Sequence, residues 1–127
     1  MDPQEASNRI WNRALGEASP GQREGDEALR ALLVFHNEAM HAGVLHALGH
    51  FSPEQLAAAQ HGYCFFGFDA IADLIASPVD EDEDLDGSDA RESELDDAYH
   101  AVIPLDGTII SAFEAHFLSH PQMYAPL

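Results

Sequence analysis

The feature that most constrains this chain is a block of negative charge in its second half. Residues 80–97 contain eleven Asp and Glu residues and one basic residue, Arg91, so these eighteen positions carry −10 of the net charge of −18. Ionised carboxylates are rarely buried without a partner, because burial removes their hydration. The hydrophobic core must therefore come from the sequence on either side of this block.

The composition of the whole chain excludes two classes of ligand. Its 127 residues include 23 acidic residues and five arginines, with no lysine. Because nucleic acids and anionic membranes are bound through Lys and Arg, we expect direct contact with neither. No apolar stretch approaches the roughly 20 residues that span a bilayer, and Met1–Arg13 has no signal-peptide core, so we expect a cytoplasmic protein. The length suits one domain, residues 1–127.

Helix-start signals and apolar spacing indicate helices throughout the first half. The pair Asp2-Pro3 is typical of a helix start, and from Asp26 apolar residues recur at three- and four-residue spacing. Gly43 predicts a bend or a new helix. The capping sequence Ser52–Gln55 predicts the start of a further helical stretch, and Gly62 and Gly67 indicate that this stretch forms two helices or one helix with a kink.

The second half follows the same pattern. Apolar residues from Leu95 to Ile103 keep helical spacing up to Pro104, and Asp106 is expected to cap a last helix that ends before Pro121. No segment shows the strict alternation of a half-buried strand. We predict an all-α fold: a single compact domain of five to seven helices, with an acidic loop, residues 80–91, between the middle and the C-terminal helices.

The acidic block has two interpretations from spacing alone. As a helix, residues 80–97 would span roughly 27 Å and carry one acidic residue per about 2.5 Å, which approaches the one charge per about 1.7 Å of duplex DNA. As an extended chain, the spacing would be roughly 5 Å. Gly87 and Ser88 favour a loop in the first part, whereas the chain from Glu92 can be helical. A solvated acidic loop and a partner-binding surface both remain open.

Four segments resemble motifs of the bacterial DNA mimic protein family, which are small, acidic and all-helical. Phe35–Val44 is similar to the helix-end motif of this family, Phe66–Ile75 to its middle helix, and Leu95–His100 with Phe113–Pro121 to its C-terminal pair. Where the family usually has an Asn-Gly-Gly turn, this chain has His-Ala-Gly at 41–43. The resemblance implies an all-helical fold and a relationship to proteins of which at least one is a dimer that occupies the DNA site of a transcription regulator.

This resemblance favours the partner-binding interpretation of the acidic block. The expected partner is a basic DNA-binding protein, such as a regulator or nuclease, or a basic toxin against which the chain would act as an immunity protein; the sequence does not distinguish these. We also predict a homodimer whose interface is apolar and excludes residues 80–97. The candidate partner-binding residues are Asp80, Glu81, Asp82, Glu83, Asp84, Asp86, Asp89, Glu92, Glu94, Asp96 and Asp97.

The alternative function is that of a metal-binding helical protein, with calcium or a di-metal centre. The run Asp82–Gly87 matches the first half of a calcium-binding loop, but the twelfth position, where the loop needs Glu, is Ser93. The sequences 38–41 and 97–100 have the spacing of di-metal ligands, with Glu114 as a possible third carboxylate and no evident fourth. His46 and His50 have helical spacing but lack the Glu of a zinc protease motif. We therefore expect no metal and no cofactor.

Enzyme motifs are missing from the sequence. It contains neither a Gly-x-Ser-x-Gly elbow nor a phosphate-binding glycine loop, so we predict that the protein is not an enzyme and has no catalytic residues. Cys64, the single cysteine, lies in the apolar run 63–66 and is expected to be an inert, buried thiol.

Overall fold

Within residues 3–16, 23–76 and 85–124, which the computed structural model describes, the chain forms seven α-helices and one short 3₁₀ helix and contains no strand. Side chains are described from residue 4 and, in the last stretch, from residue 92. The helices are α1 (Pro3–Leu15), α2 (Glu24–Ala42), α3 (Val44–His50), α4 (Pro53–Phe65), α5 (Asp69–Ala76), α6 (Leu85–Val102), α7 (Asp106–Ser119) and the 3₁₀ helix (Pro121–Met123).

Helix α2 forms the centre of the molecule. It is 19 residues long, it packs against α1, α3 and α4, and Leu29, Leu32 and Phe35 on it are fully buried. One continuous cluster of buried apolar residues includes members of all seven helices. The all-α class and the single compact domain are therefore confirmed.

Two glycines turn the chain between consecutive helices. Gly43 has φ +98° between α2 and α3, and Gly67 has φ +88° between α4 and α5, in the region that residues with a Cβ avoid. The predicted breaks at Gly43 and Gly67 are confirmed, whereas Gly62, the other candidate for a break, lies inside α4. The predicted start of α4 is confirmed as well: Ser52 Oγ accepts from the Gln55 N–H at 3.2 Å, and Gln55 Oε1 accepts from the Ser52 N–H at 2.9 Å.

Two local expectations need correction. The acidic loop expected at 80–91 was wrong for residues 85–91, because α6 begins at Leu85; residues 80–84 lie outside the described residues. Asp106 is the first residue of α7 rather than its cap, and its carboxylate contacts His36 instead. A side chain that binds another helix is not available to cap its own.

No single helix in the described part of the chain has the length and apolar composition needed to cross a membrane. Only the bent pair Glu92–Val102 and Asp106–Ser119, which meet at 44°, satisfies those criteria when the two helices are taken together.

Candidate functional site

The acidic block divides into a part that the structure describes and a part that it does not. The predicted partner-binding residues Asp80, Glu81, Asp82, Glu83 and Asp84 lie outside the described residues. Asp86 and Asp89 belong to α6, although their side chains are outside the described part. Glu92, Glu94, Asp96 and Asp97 are described fully, and helix α6 directs them to two different environments.

Glu94 and Asp97 occupy the solvent side of α6. Both are exposed, whereas Leu95 and Tyr99 on the opposite side of the helix are buried in the core. This is the pattern of an amphipathic helix, in which residues three and four apart share a face. These two carboxylates are therefore accessible to a partner.

Asp96 and Glu92 face the junction between α2 and α3. Asp96 Oδ1 accepts a hydrogen bond from the Val44 N–H at 2.9 Å, and Val44 is the first residue of α3. The Asp96 carboxylate thus satisfies one of the free amides at that helix start and lies at the positive end of its dipole. Glu92 Oε1 is 3.2 Å from the position that a Cβ on Gly43 would take. Asp96 fixes α3 on α6, so its carboxylate is used within the chain.

The arginines with described side chains lie in α1, in α2 and just before α2, whereas Arg91, whose side chain is outside the described part, belongs to α6. Arg13 donates to Asp26 Oδ1 at 2.6 Å, and this carboxylate is almost completely buried. Arg23 donates to the Gln122 carbonyl at 2.9 Å, and Arg30 donates to the carbonyls of Gly16 and Arg13. These three arginines hold α1, the start of α2 and the C-terminal segment together, and Arg9 pairs with Glu5 within α1, so none of these contacts neutralises α6.

A buried chain of polar side chains runs from the surface into the core. His36 Nε2 lies 2.7 Å from Asp106 Oδ1, and His36 Nδ1 lies 2.7 Å from the Tyr99 hydroxyl. The Tyr99 hydroxyl lies 2.6 Å from the Tyr63 hydroxyl. Because a carboxylate can only accept, His36 donates from Nε2 to Asp106; in that tautomer Nδ1 accepts from the Tyr99 hydroxyl, and Tyr63 donates to Tyr99.

This polar chain joins four helices and leaves each of its hydrogen-bonding groups satisfied. Burial, the nearby Tyr99 and the hydrogen bond to it raise the pKa of Tyr63. Burial also raises the pKa of Tyr99 far above its ordinary value of 10.0. Both hydroxyls are therefore protonated at neutral pH, and Asp106 is the exposed end of the chain. The arrangement connects α2, α4, α6 and α7 through hydrogen bonds.

A second cluster lies on the surface where α2 meets α3. One ligand atom from each of Glu38, His46 and His50 lies within 4.8 Å of the other two, and this is the group of three potential metal ligands found among the described residues. His46 Nε2 is 3.1 Å from Glu38 Oε1, with the His46 side chain 54% exposed and that of Glu38 25% exposed. The His46 and His50 rings stack with their centroids 5.7 Å apart.

The metal patterns noted in the sequence do not correspond to this cluster. The structure joins Glu38 to His46 and His50 across the Gly43 turn, whereas the sequence pattern paired Glu38 with His41 on the same helix. In the calcium-loop pattern, residues 85–93 are helical, which is not the backbone of such a loop. Sequence reasoning missed the cluster because the angle between α2 and α3 brings its members together; the histidine pair four residues apart was the available signal.

The expectation that Cys64 is buried was wrong. The thiol is exposed near the end of α4, because α4 turns Tyr63 rather than Cys64 into the core. Desolvation, a hydrogen bond to Asp69 and the charges of Asp69 and Asp73 raise the pKa of the thiol. The raised pKa disfavours the thiolate, which is the reactive form of cysteine.

Comparisons with protein-family models, with curated proteins and with solved structures find no match for this chain.

Proposed function

We propose that this protein is an acidic interaction module whose α6 surface occupies the basic, nucleic-acid-binding site of another protein. The observation that carries the proposal is the exposure of Glu94 and Asp97 on a helix whose opposite side is buried. The arginines with described side chains are engaged at the α1–α2 end, and Arg91 is the single arginine in the α6 sequence against six acidic residues, so α6 keeps a net negative charge.

The spacing of charge along α6 supports mimicry of a nucleic acid. A helix rises about 17 Å from residue 86 to residue 97, at about 1.5 Å per residue. Six acidic residues and Arg91 lie in that interval; without Asp96, whose carboxylate binds the Val44 amide, five acidic residues remain, or one per about 3 Å. A single DNA strand carries one phosphate per about 3.4 Å. The acidic residues are Asp86, Asp89, Glu92, Glu94, Asp96 and Asp97.

The proposed mechanism is competitive exclusion. Carboxylates on α6 pair with Arg and Lys side chains that otherwise contact phosphates, and charge-assisted hydrogen bonds to Arg stabilise the complex. Long-range attraction between an acidic and a basic surface accelerates association, and salt weakens it. The proposed setting is the cytoplasm, where such a partner contacts nucleic acid.

The proposed assembly is a homodimer. Its interface would be apolar and would leave residues 80–97 free, so that each copy can bind a partner. Exposed apolar side chains on helices other than α6 supply candidate contacts, among them Leu15, Val34 and Ile110. Light scattering at low and physiological salt tests this proposal, and a monomer at both salts contradicts it.

The experiment for the central proposal uses two charge-matched variants. Glu94→Gln with Asp97→Asn removes the exposed described carboxylates of α6, and Glu27→Gln with Glu54→Gln removes the same charge from exposed positions on α2 and α4. Each protein is immobilised and exposed to host lysate at low salt, and the captured partner is then purified for affinity measurement. We expect the α6 variant to weaken binding by about tenfold and the control variant to change it little.

The identity and behaviour of the captured partner decide the outcome. A basic DNA-binding protein whose affinity depends on Glu94 and Asp97 supports mimicry. A basic toxin with the same dependence moves the function to immunity. Equal effects of the two variants place the interface outside α6 and contradict the proposal.

A further inference from the structure

We propose that Glu38, His46 and His50 bind a divalent transition-metal ion such as Zn²⁺ on the surface where α2 meets α3. The proposal is independent of the acidic α6 surface and its partner. It rests on one carboxylate and two imidazoles whose ligand atoms lie within 4.8 Å of one another.

The distances in the cluster are close to those that an ion requires. Zn²⁺ binds imidazole nitrogen and carboxylate oxygen at about 2.0–2.2 Å, which places two tetrahedral ligands about 3.4 Å apart. His46 Nε2 and Glu38 Oε1 are 3.1 Å apart, so this pair needs almost no movement. The third ligand atom is within 4.8 Å of both, and the exposed His50 side chain can close that distance by rotation.

The backbone holds these side chains in position. Gly43 turns the chain sharply between α2 and α3, and Asp96 binds the first amide of α3 at 2.9 Å. The His50 and Phe51 rings make a T-shaped contact with centroids 5.0 Å apart. The ligands therefore come from two helices whose relative placement is already fixed.

The donor set selects the class of metal. Two imidazoles and one carboxylate suit Zn²⁺, Ni²⁺ or Cu²⁺, whereas Ca²⁺ and Mg²⁺ prefer sites made only of oxygen. Three protein ligands leave an open position for water. The net charge of −18 attracts cations to the surface, and the histidines make this site different from the remaining carboxylates.

The chain contains an internal control for histidine spacing. His116 and His120 are also four residues apart and stacked, with centroids 4.9 Å apart. Here His116 Nδ1 is hydrogen-bonded to the Tyr124 hydroxyl at 2.9 Å, and the pair is not part of a group of three ligands among the described residues. His50 and His120 are both exposed at the end of a helix, so their substitutions are matched.

The test is calorimetric titration of tag-free protein with Zn²⁺ at physiological salt and with excess Mg²⁺, which occupies loosely binding carboxylates. We expect one saturable Zn²⁺ site per chain. His50→Asn or Glu38→Gln is expected to weaken the Zn²⁺ affinity at least about tenfold, because the loss of a ligand lowers affinity at least as much as the loss of a residue that supports a ligand. His120→Asn is expected to leave the affinity unchanged. Absorption of bound Co²⁺ in the visible range provides an independent readout of the same ligands.

Three results would overturn the proposal. These are the loss of all Zn²⁺ binding when Mg²⁺ is present, equal weakening by His50→Asn and His120→Asn, and unchanged affinity in the Glu38→Gln variant. Circular dichroism of each variant shows whether the fold is retained. Because His50 is exposed, we expect the His50→Asn variant to retain it.

Discussion

At the scale of single residues, the directions of the buried hydrogen bonds among His36, Tyr99 and Tyr63 predict that two Tyr→Phe substitutions destabilise the fold by different amounts. Tyr99→Phe removes the donor to His36 and the acceptor of Tyr63, which leaves two buried polar groups without partners. Tyr63→Phe removes only a terminal donor. We expect losses of about 1–3 kcal/mol and about 0.5–1.5 kcal/mol, respectively, in the free energy of unfolding measured with urea. A larger loss for Tyr63→Phe would contradict the assigned directions.

His116 predicts a pH dependence of stability. Desolvation and the neighbouring His120 lower the pKa of His116 from its ordinary value of 6.5. The unfolded chain therefore binds this proton more tightly than the folded chain, so the contribution of His116 is complete above about pH 6.5 and is lost as the pH falls below it. Melting temperatures between pH 7.5 and 5.5 should fall more steeply for the natural protein than for His116→Gln. Parallel curves for the two proteins would contradict this assignment.

At the scale of elements, the close contact between α2 and α4 depends on Gly62. A Cβ on Gly62 would lie 2.5 Å from the Ala28 carbonyl oxygen and 3.1 Å from the Leu32 amide nitrogen, both of which are backbone atoms. Gly62→Ala should therefore separate the two helices and destabilise the fold by about 1–3 kcal/mol. Gly49→Ala on α3 is the matched control, because a Cβ there meets nothing within 4 Å. It should stabilise the protein by up to about 1 kcal/mol, as a helical Gly→Ala change does. Urea unfolding of both variants checks the opposite signs.

Local sequence signals predicted most helix boundaries, whereas they could not predict contacts between helices. Gly43 and the Ser52–Gln55 cap act within a few residues, so they could be recognised directly. The start of α6 at Leu85 could not be recognised from local signals, because repulsion among neighbouring carboxylates favours a loop there. The residues of α6 that pack into the core, Leu95 and Tyr99, lie further along the chain. The cluster of Glu38 with His46 and His50 depends on an interhelical angle that residue spacing does not encode.

At the scale of the whole molecule, segregation of charge predicts a salt-dependent stability. The net charge of −18 destabilises the compact state through self-repulsion, and added salt screens it. We expect the melting temperature to rise by several degrees between about 0.02 and 0.5 M NaCl, where the screening length falls from tens of ångströms to a few. The variant Glu94→Gln with Asp97→Asn should show a smaller rise. A melting temperature that falls with salt would show that attractive ion pairs dominate instead.

The most direct test of the acidic α6 surface is displacement of DNA from the partner that the protein captures. Labelled duplex bound to that partner is titrated with the natural protein, with Glu94→Gln/Asp97→Asn and with Glu27→Gln/Glu54→Gln, and fluorescence anisotropy follows release of the duplex. We predict competitive displacement by the natural protein and the control variant, and displacement weakened by about tenfold for the α6 variant. A stable ternary complex of DNA, partner and this protein, or equal displacement by all three proteins, would contradict it.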